Sequence, residues 1–229
     1  MRRYVVVLAV IVCLAALAGT LACVTNAATD NGANDTRQLP YVEVREYEGV
    51  ELSSIDDFRE NSIKGPQYVD MERYRLGVAG LVEEPGSYTF EQVVGNHETY
   101  AKVVTLHCVE GWSVDILWEG VLVRDLIGEA QPTPDATVVI FHAYDGYTTS
   151  LPIDYIMGNE IVLAHKMNDV LLPPERGAPF QLVAESKWGY KWIKWITKVE
   201  LSDDSDYRGY WESRGYSNDA DEDAFFFDR

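Results

Sequence analysis

Cys108 is the residue best equipped for chemistry in this 229-residue chain. The other two cysteines, Cys13 and Cys23, lie in or beside an apolar N-terminal stretch. The rest of the chain therefore has no second sulfur for an internal disulfide. Lys102–Cys108 is β-branched and apolar and reads as a strand, and Val109-Glu110-Gly111 reads as a polar turn. A strand that delivers a thiol to its end, where a glycine opens the chain, suits a soft thiolate ligand at a pocket mouth. On spacing alone the simpler reading also stands: a small, buried core side chain, as free cysteines commonly are.

Several other chemistries have no carrier. The sequence contains no GxGxxG, Walker loop, GxSxG, CxxC or HExxH. Its four histidines, His97, His107, His142 and His165, are not spaced as metal-binding pairs, and each reads as a hydrogen-bonded structural imidazole. Fourteen Tyr and six Trp are many for this length. They read either as core packing or as the wall of a pocket for a large planar ligand.

The elements that must position Cys108 are mostly strands. Tyr74–Val82 alternates and stops at the turn Glu84-Pro85-Gly86, and Thr89-Phe90-Glu91-Gln92 fits a capping box opening a short helix. Val123–Ala130 spans one or two helical turns. Val138–Ala143, Ile161–His165, Phe180–Ala184 and Trp195–Leu201 complete a strand set. Without a long amphipathic helix or a strict strand–helix alternation, a doubly wound parallel fold is excluded in favour of an α+β, β-dominated class.

Arg2-Arg3 followed by an uncharged apolar run from Val5 to Leu21 reads as a signal peptide or membrane anchor over residues 1–23. Cleavage after Ala18 competes with a lipoprotein-type box ending at Cys23, and the arginine pair resembles a twin-arginine signal. The chain is therefore expected outside the cytoplasm, with lipid anchoring at Cys23 as one form of attachment. Residues 24–40 read as a polar linker, 41–215 as the domain, and 216–229 as an acidic tail. The net charge of −18 is concentrated at residues 30–60 and 203–229, each holding nine acids against three arginines. That balance repels phosphate backbones and excludes nucleic acid as a partner.

Cys108-Val109-Glu110-Gly111-Trp112-Ser113, with Trp118-Glu119-Gly120-Val121 behind it, resembles the metal-ligating segment of the sulfite oxidase superfamily. The resemblance continues in order through Tyr147–Pro152, Leu172-Pro173-Pro174, Gly177-Ala178-Pro179 and Trp188–Ile196, with Asn61-Ser62-Ile63-Lys64-Gly65 upstream. It covers roughly residues 58–215, and several ordered motifs are more specific than one.

The resemblance implies a sulfite oxidase-like molybdopterin-binding fold, with molybdenum held by the cofactor's dithiolene and by Cys108. Glu110 and Trp112 would stand beside the metal. Asn61 and Thr148 would approach the pterin, while Lys191 and Lys194, with the backbone around Trp192 and Ile193, would hold its phosphate end. Gln181 stands where the family commonly has Arg, and Arg176 where it has His or Asn, so Arg176 would supply the displaced cation. Sulfite-oxidising members surround the metal with arginines that bind a dianion; the segment after Cys108 has none and more closely resembles exported members whose substrates are neutral sulfoxides. A carboxylate at Glu110 would repel an entering dianion; two unit charges about 5–6 Å apart interact by roughly 3 kcal/mol at a dielectric near 20. The expected function is oxygen-atom transfer, with a small or protein-bound sulfoxide as substrate and an electron-transfer partner in or outside the membrane. Sulfite oxidation, supported by Arg73 or Arg124, and a binding module without cofactor are the alternatives.

Overall fold

The computed structural model describes residues 42–228, which belong to one compact unit, Leu39–Arg229. The signal, anchor, lipidation and linker readings for residues 1–40 lie outside the described residues. Among those described, no helix is long and apolar enough to cross a membrane.

The described residues open with a two-stranded hairpin, β1 (Glu46–Tyr47) and β2 (Val50–Glu51). Then follow β3 (Leu76–Gly80), β4 (Gly86–Tyr88), α1 (Phe90–Asn96), β5 (Thr99–His107), β6 (Ser113–Leu122) and α2 (Val123–Glu129). The second half contains β7 (Val138–Ala143), β8 (Thr148–Pro152), α3 (Ile153–Gly158), β9 (Val162–Met167), β10 (Val170–Leu171), β11 (Gln181–Val183) and β12 (Ile196–Ser202). Two five-stranded sheets result. One has the order β4-β3-β12-β7-β8; the other has β10-β9-β6-β5, with β11 also on β9. Among the described residues, only β3 and β12 pair in parallel.

Local sequence explains these elements. Thr89 and Gln92 form a complete capping box at α1, satisfying N–H groups the first turn leaves open. In β3, Leu76 and Val78 are fully buried while Gly77 and Ala79 are only half-buried, so the period of two selects a strand. β7 is apolar almost throughout because it lies inside its sheet, between β12 and β8. Fully buried Trp118, Phe141, Leu122, Ile127 and Val199 join residues of both sheets in one apolar cluster. Each such side chain contributes about 1.5–3 kcal/mol, more than a surface ion pair at about 0–1 kcal/mol. The β-dominated α+β class expected from sequence is the class observed.

Two features frame the functional region. The hairpin β5–β6 runs in register from Thr99↔Val121 to His107↔Ser113, and its loop holds Cys108. Residues 216–228 close on themselves through the Tyr216–Phe227 bridge and lie against the main body, where Trp188 N donates to Ala220 O (2.8 Å) and Lys187 pairs with Asp221.

Candidate functional site

Cys108 sits where the β5–β6 ladder closes. Its N–H donates to Trp112 O (2.9 Å), and Gly111 N–H donates back to Cys108 O (3.0 Å), a tight loop in which Gly111 takes φ +88°. The side chain is buried. The Glu110 N–H (3.5 Å) and the Asn61 amide (3.8 Å) both point at Sγ. Burial pushes the thiol's pKa up and the Glu110 carboxylate pushes the same way. The Glu110 N–H and the Asn61 amide oppose them by favouring thiolate.

The thiol faces a cavity of about 390 Å³, within the usual range for a small-molecule site. Several structural units build its wall, among them the β7–β8 turn with Asp145 and Tyr147 and the 3-10 turn with Glu175 and Arg176. The irregular segment 58–63 supplies Phe58, Arg59, Glu60 and Asn61. The hairpin loop supplies Cys108, Glu110 and Trp112, and the 188–195 stretch supplies Tyr190, Trp192, Ile193, Lys194 and Trp195. Trp211 and Tyr216 close one side. The cavity wall is thus aromatic, with three cations, Arg59, Arg176 and Lys194, among four acids, Glu60, Glu110, Asp145 and Glu175.

The cations are held differently. Arg176, on a 3-10 turn (Pro174–Arg176), donates to Ile55 O (2.8 Å) and Phe58 O (2.6 Å) and lies 3.9 Å above the Phe58 ring. Lys194 Nζ pairs with Glu60 at 2.6 Å and donates to Glu175 O at 3.3 Å, over the Trp195 ring. Burial pulls the Lys194 pKa down, while Glu60 holds it up. Gly177 brings this corner together: at φ +102°, a Cβ there would lie 3.1 Å from both Gln181 and Lys194. Arg59 is exposed and makes no hydrogen bond or ion pair among the described residues.

Of the residues singled out from sequence, Asn61, Cys108, Glu110, Trp112, Arg176, Trp192, Ile193 and Lys194 share this one cavity. Thr148 and Lys191 are not on its wall; their neighbours Tyr147 and Tyr190 are. The Thr148 hydroxyl accepts from Tyr207 (3.0 Å). Lys191 is fully buried against Glu212 (2.6 Å) and Ser150 O (3.0 Å). The N–H groups of Trp192 and Ile193 donate to Gly189 O and Lys191 O, so these residues give the cavity side chains rather than free amides. Glu110 is exposed, and its carboxylate accepts from the Trp112 indole (3.3 Å). Trp118 is a core residue whose indole donates to Val104 O (3.2 Å). Arg73 pairs with Asp70 and Arg124 with Asp125, and neither reaches the cavity.

Phe58, Arg59, Glu60, Tyr147, Tyr190, Trp211 and Tyr216 were not foreseen individually. Tyr147 and Tyr190 lay within the motifs quoted from sequence, and for Trp211 and Tyr216 the one signal was the surplus of Tyr and Trp.

The donor set fits a thiolate-ligated metal carried by a planar, anionic organic group. Among the described residues no three His, Cys, Asp or Glu side chains gather to hold a metal ion unaided. A metal at Cys108 needs further ligands from the group that brings it. The aromatic walls suit a flat ring system, and Lys194 suits an anionic end.

The oxidoreductase molybdopterin binding domain matches residues 63–211. An uncharacterised oxidoreductase of Bacillus subtilis (strain 168), YuiH, is 36% identical over 152 residues, 66% of this chain and 76% of that protein. The protein-methionine-sulfoxide reductase catalytic subunit MsrP of Gluconobacter oxydans (strain 621H) is 31% identical over 147 residues, 57% of this chain. The chain spans only 47% of that subunit's length. Among solved structures, the sulfane dehydrogenase SoxCD from Paracoccus pantotrophus aligns with a TM-score of 0.59 at 22% identity, over 66% of this chain and 42% of that one. That likeness is one of fold.

Proposed function

Because this chain belongs to the oxidoreductase molybdopterin binding domain family, we propose that it transfers an oxygen atom to or from a small sulfur compound, with Cys108 as the protein ligand to molybdenum. The observation that carries this reading is the Cys108 thiol facing an aromatic cavity, with Asn61 and the Glu110 N–H at its sulfur. When bound, the molybdenum cofactor supplies the two-electron redox chemistry, and the protein supplies binding, orientation and electrostatics. Asn61 and the Glu110 N–H stabilise and aim the thiolate. Trp112, Tyr190 and Trp192 exclude water and flank a flat ligand. Lys194 holds the anionic end, while Arg176 fixes Phe58 in the wall.

For the substrate, we favour a neutral sulfoxide undergoing reduction. Glu110 stands on the wall beside Cys108, and two of the three wall cations are already engaged by Glu60 and by backbone carbonyls. Solvent reaches Glu110, so its repulsion of each unit of an anion's charge falls from the roughly 3 kcal/mol of a dielectric near 20 toward about 1 kcal/mol, or about fivefold in rate. The MsrP relative, named for methionine-sulfoxide reduction, supports the same direction. One observation favours the reverse chemistry: unengaged Arg59 on the cavity wall could receive an oxyanion such as sulfite.

Purified chain should contain about one molybdenum per molecule, and Cys108→Ser should abolish turnover because an oxygen donor is harder than a thiolate. Methionine sulfoxide reduction with an artificial donor should exceed sulfite oxidation in the same preparation. Metal-free protein, or wild-type turnover in Cys108→Ser, would overturn the ligand assignment. Sulfite oxidation that dominates and disappears in Arg59→Gln would reverse the direction.

We also place the protein outside the cytoplasm, on the strength of residues 1–23, with its electrons coming from a separate protein there. Arg2→Lys with Arg3→Lys should retain loaded enzyme inside the cell, as fractionation would detect. Unchanged export of active enzyme would rule out the twin-arginine route.

A further inference from the structure

The segment running through residues 58–69 is tied down in an unusual way. No backbone–backbone hydrogen bond involves it among the described residues. Side chains fasten it instead, three of them at the cavity. Arg176 grips the Phe58 carbonyl, Glu60 grips Lys194, and Asn61 reaches Cys108. Glu60 and Lys194 are 23% and 14% exposed, so each charge is largely withdrawn from water and depends on the other. Lys194 is also the cation assigned above to the anionic end of the cofactor.

We propose that Glu60 is a counter-ion latch: its carboxylate neutralises Lys194 in the ligand-free chain, and a phosphate monoester replaces it when the cofactor enters. The inference rests on the reading of Lys194 as the phosphate anchor. A lysine so enclosed can be neutralised by one close anion, and a carboxylate and a phosphate compete for the same Nζ protons. Displacing Glu60 removes one of the three tethers at the cavity and loosens the strand-free segment. Segment 58–69 is therefore a strap whose closure depends on what Lys194 holds. Arg59 and Lys64, both exposed on this segment, make its loosening visible to trypsin.

The test uses the full chain made without cofactor, with phenyl phosphate as the probe. Calorimetric titration should show Glu60→Gln binding the probe about tenfold more tightly than wild type, because no carboxylate has to be displaced. Tryptic cleavage after Arg59 and Lys64 should be slow in wild type and accelerate with saturating probe. In Glu60→Gln it should be fast with or without it. Glu60→Asp keeps the charge on a shorter arm and should fall between the two, which preserves the test if Glu60→Gln folds poorly. Equal probe affinity in wild type and folded Glu60→Gln, with Lys194→Met unable to bind, would refute the latch alone. Probe binding undiminished in Lys194→Met would instead remove the anchor, and the latch with it.

Discussion

Lys191 and Lys194 are three residues apart and alike in type, yet they occupy opposite settings. Read as a pair they form a phosphate clamp; in the structure the 3-10 turn Gly189–Lys191 turns the first into the core and leaves the second on the cavity wall. The sequence carried a hint, since Lys191 is flanked by Tyr190, Trp192 and Ile193, all apolar or aromatic. Its partner Glu212 is twenty-one positions on and could not be inferred from spacing. Burial pulls the Lys191 pKa down, and Glu212 acts against that by stabilising the charge. Lys191→Met would leave Glu212 charged and enclosed, so we expect a loss of about 3–5 kcal/mol, read by urea denaturation. Adding Glu212→Leu to it should recover much of that loss. A single Lys191→Met variant as stable as wild type would mean that the pair contributes little.

At the scale of elements, the β5–β6 hairpin was half legible. Lys102–Cys108 announces a strand through its β-branched residues, and the metal-site motif announces the loop. β6 does not announce itself: Asp115, Glu119 and Gly120 interrupt its apolar pattern. Gly120 has a non-local cause. A Cβ there would stand 2.2 Å from Leu163 O, at the register shift where β6 crosses β9. A cluster around Glu43 was equally hidden. The Glu43 carboxylate accepts from Ser54 Oγ (2.5 Å), Ile55 N (2.9 Å), Asn168 Nδ2 (3.1 Å) and Arg45 (3.0 Å). Burial alone would raise its pKa; those four donors outweigh it and hold the pKa below 4.5. A depressed carboxylate pKa gives stability that is present above the unfolded value and lost as pH falls through the folded one. Glu43→Gln should therefore cost roughly 1–3 kcal/mol at neutral pH. Thermal melts should show that difference shrinking below pH 4.5. A constant gap across that range would contradict the assignment.

Over the whole molecule, the order of motifs in sequence sufficed for fold class, and several of those motifs meet at the cavity: Asn61, the Cys108–Trp112 loop, Tyr147 and the run from Tyr190 to Trp195. The far wall was illegible because it straddles the boundary read from sequence: Trp211 stands near the end of the stretch read as the domain, and Tyr216 opens the stretch read as an acidic tail. There the dense acids of 203–228 masked an aromatic lattice: Tyr216 packs on Tyr190 (5.1 Å), Trp211 (5.2 Å) and Phe227 (4.6 Å). This lattice, tied down at Trp188, Ala220 and the Lys191–Glu212 pair, also sets an order in time. Trp211 and Tyr216 leave the ribosome after every strand of both sheets. At about 5–20 residues per second, roughly one to three seconds separate the end of β12 from Tyr216. A nascent chain thus owns its finished sheets before it owns a finished binding site, and any chaperone that loads this protein must act on chains whose translation has passed Tyr216.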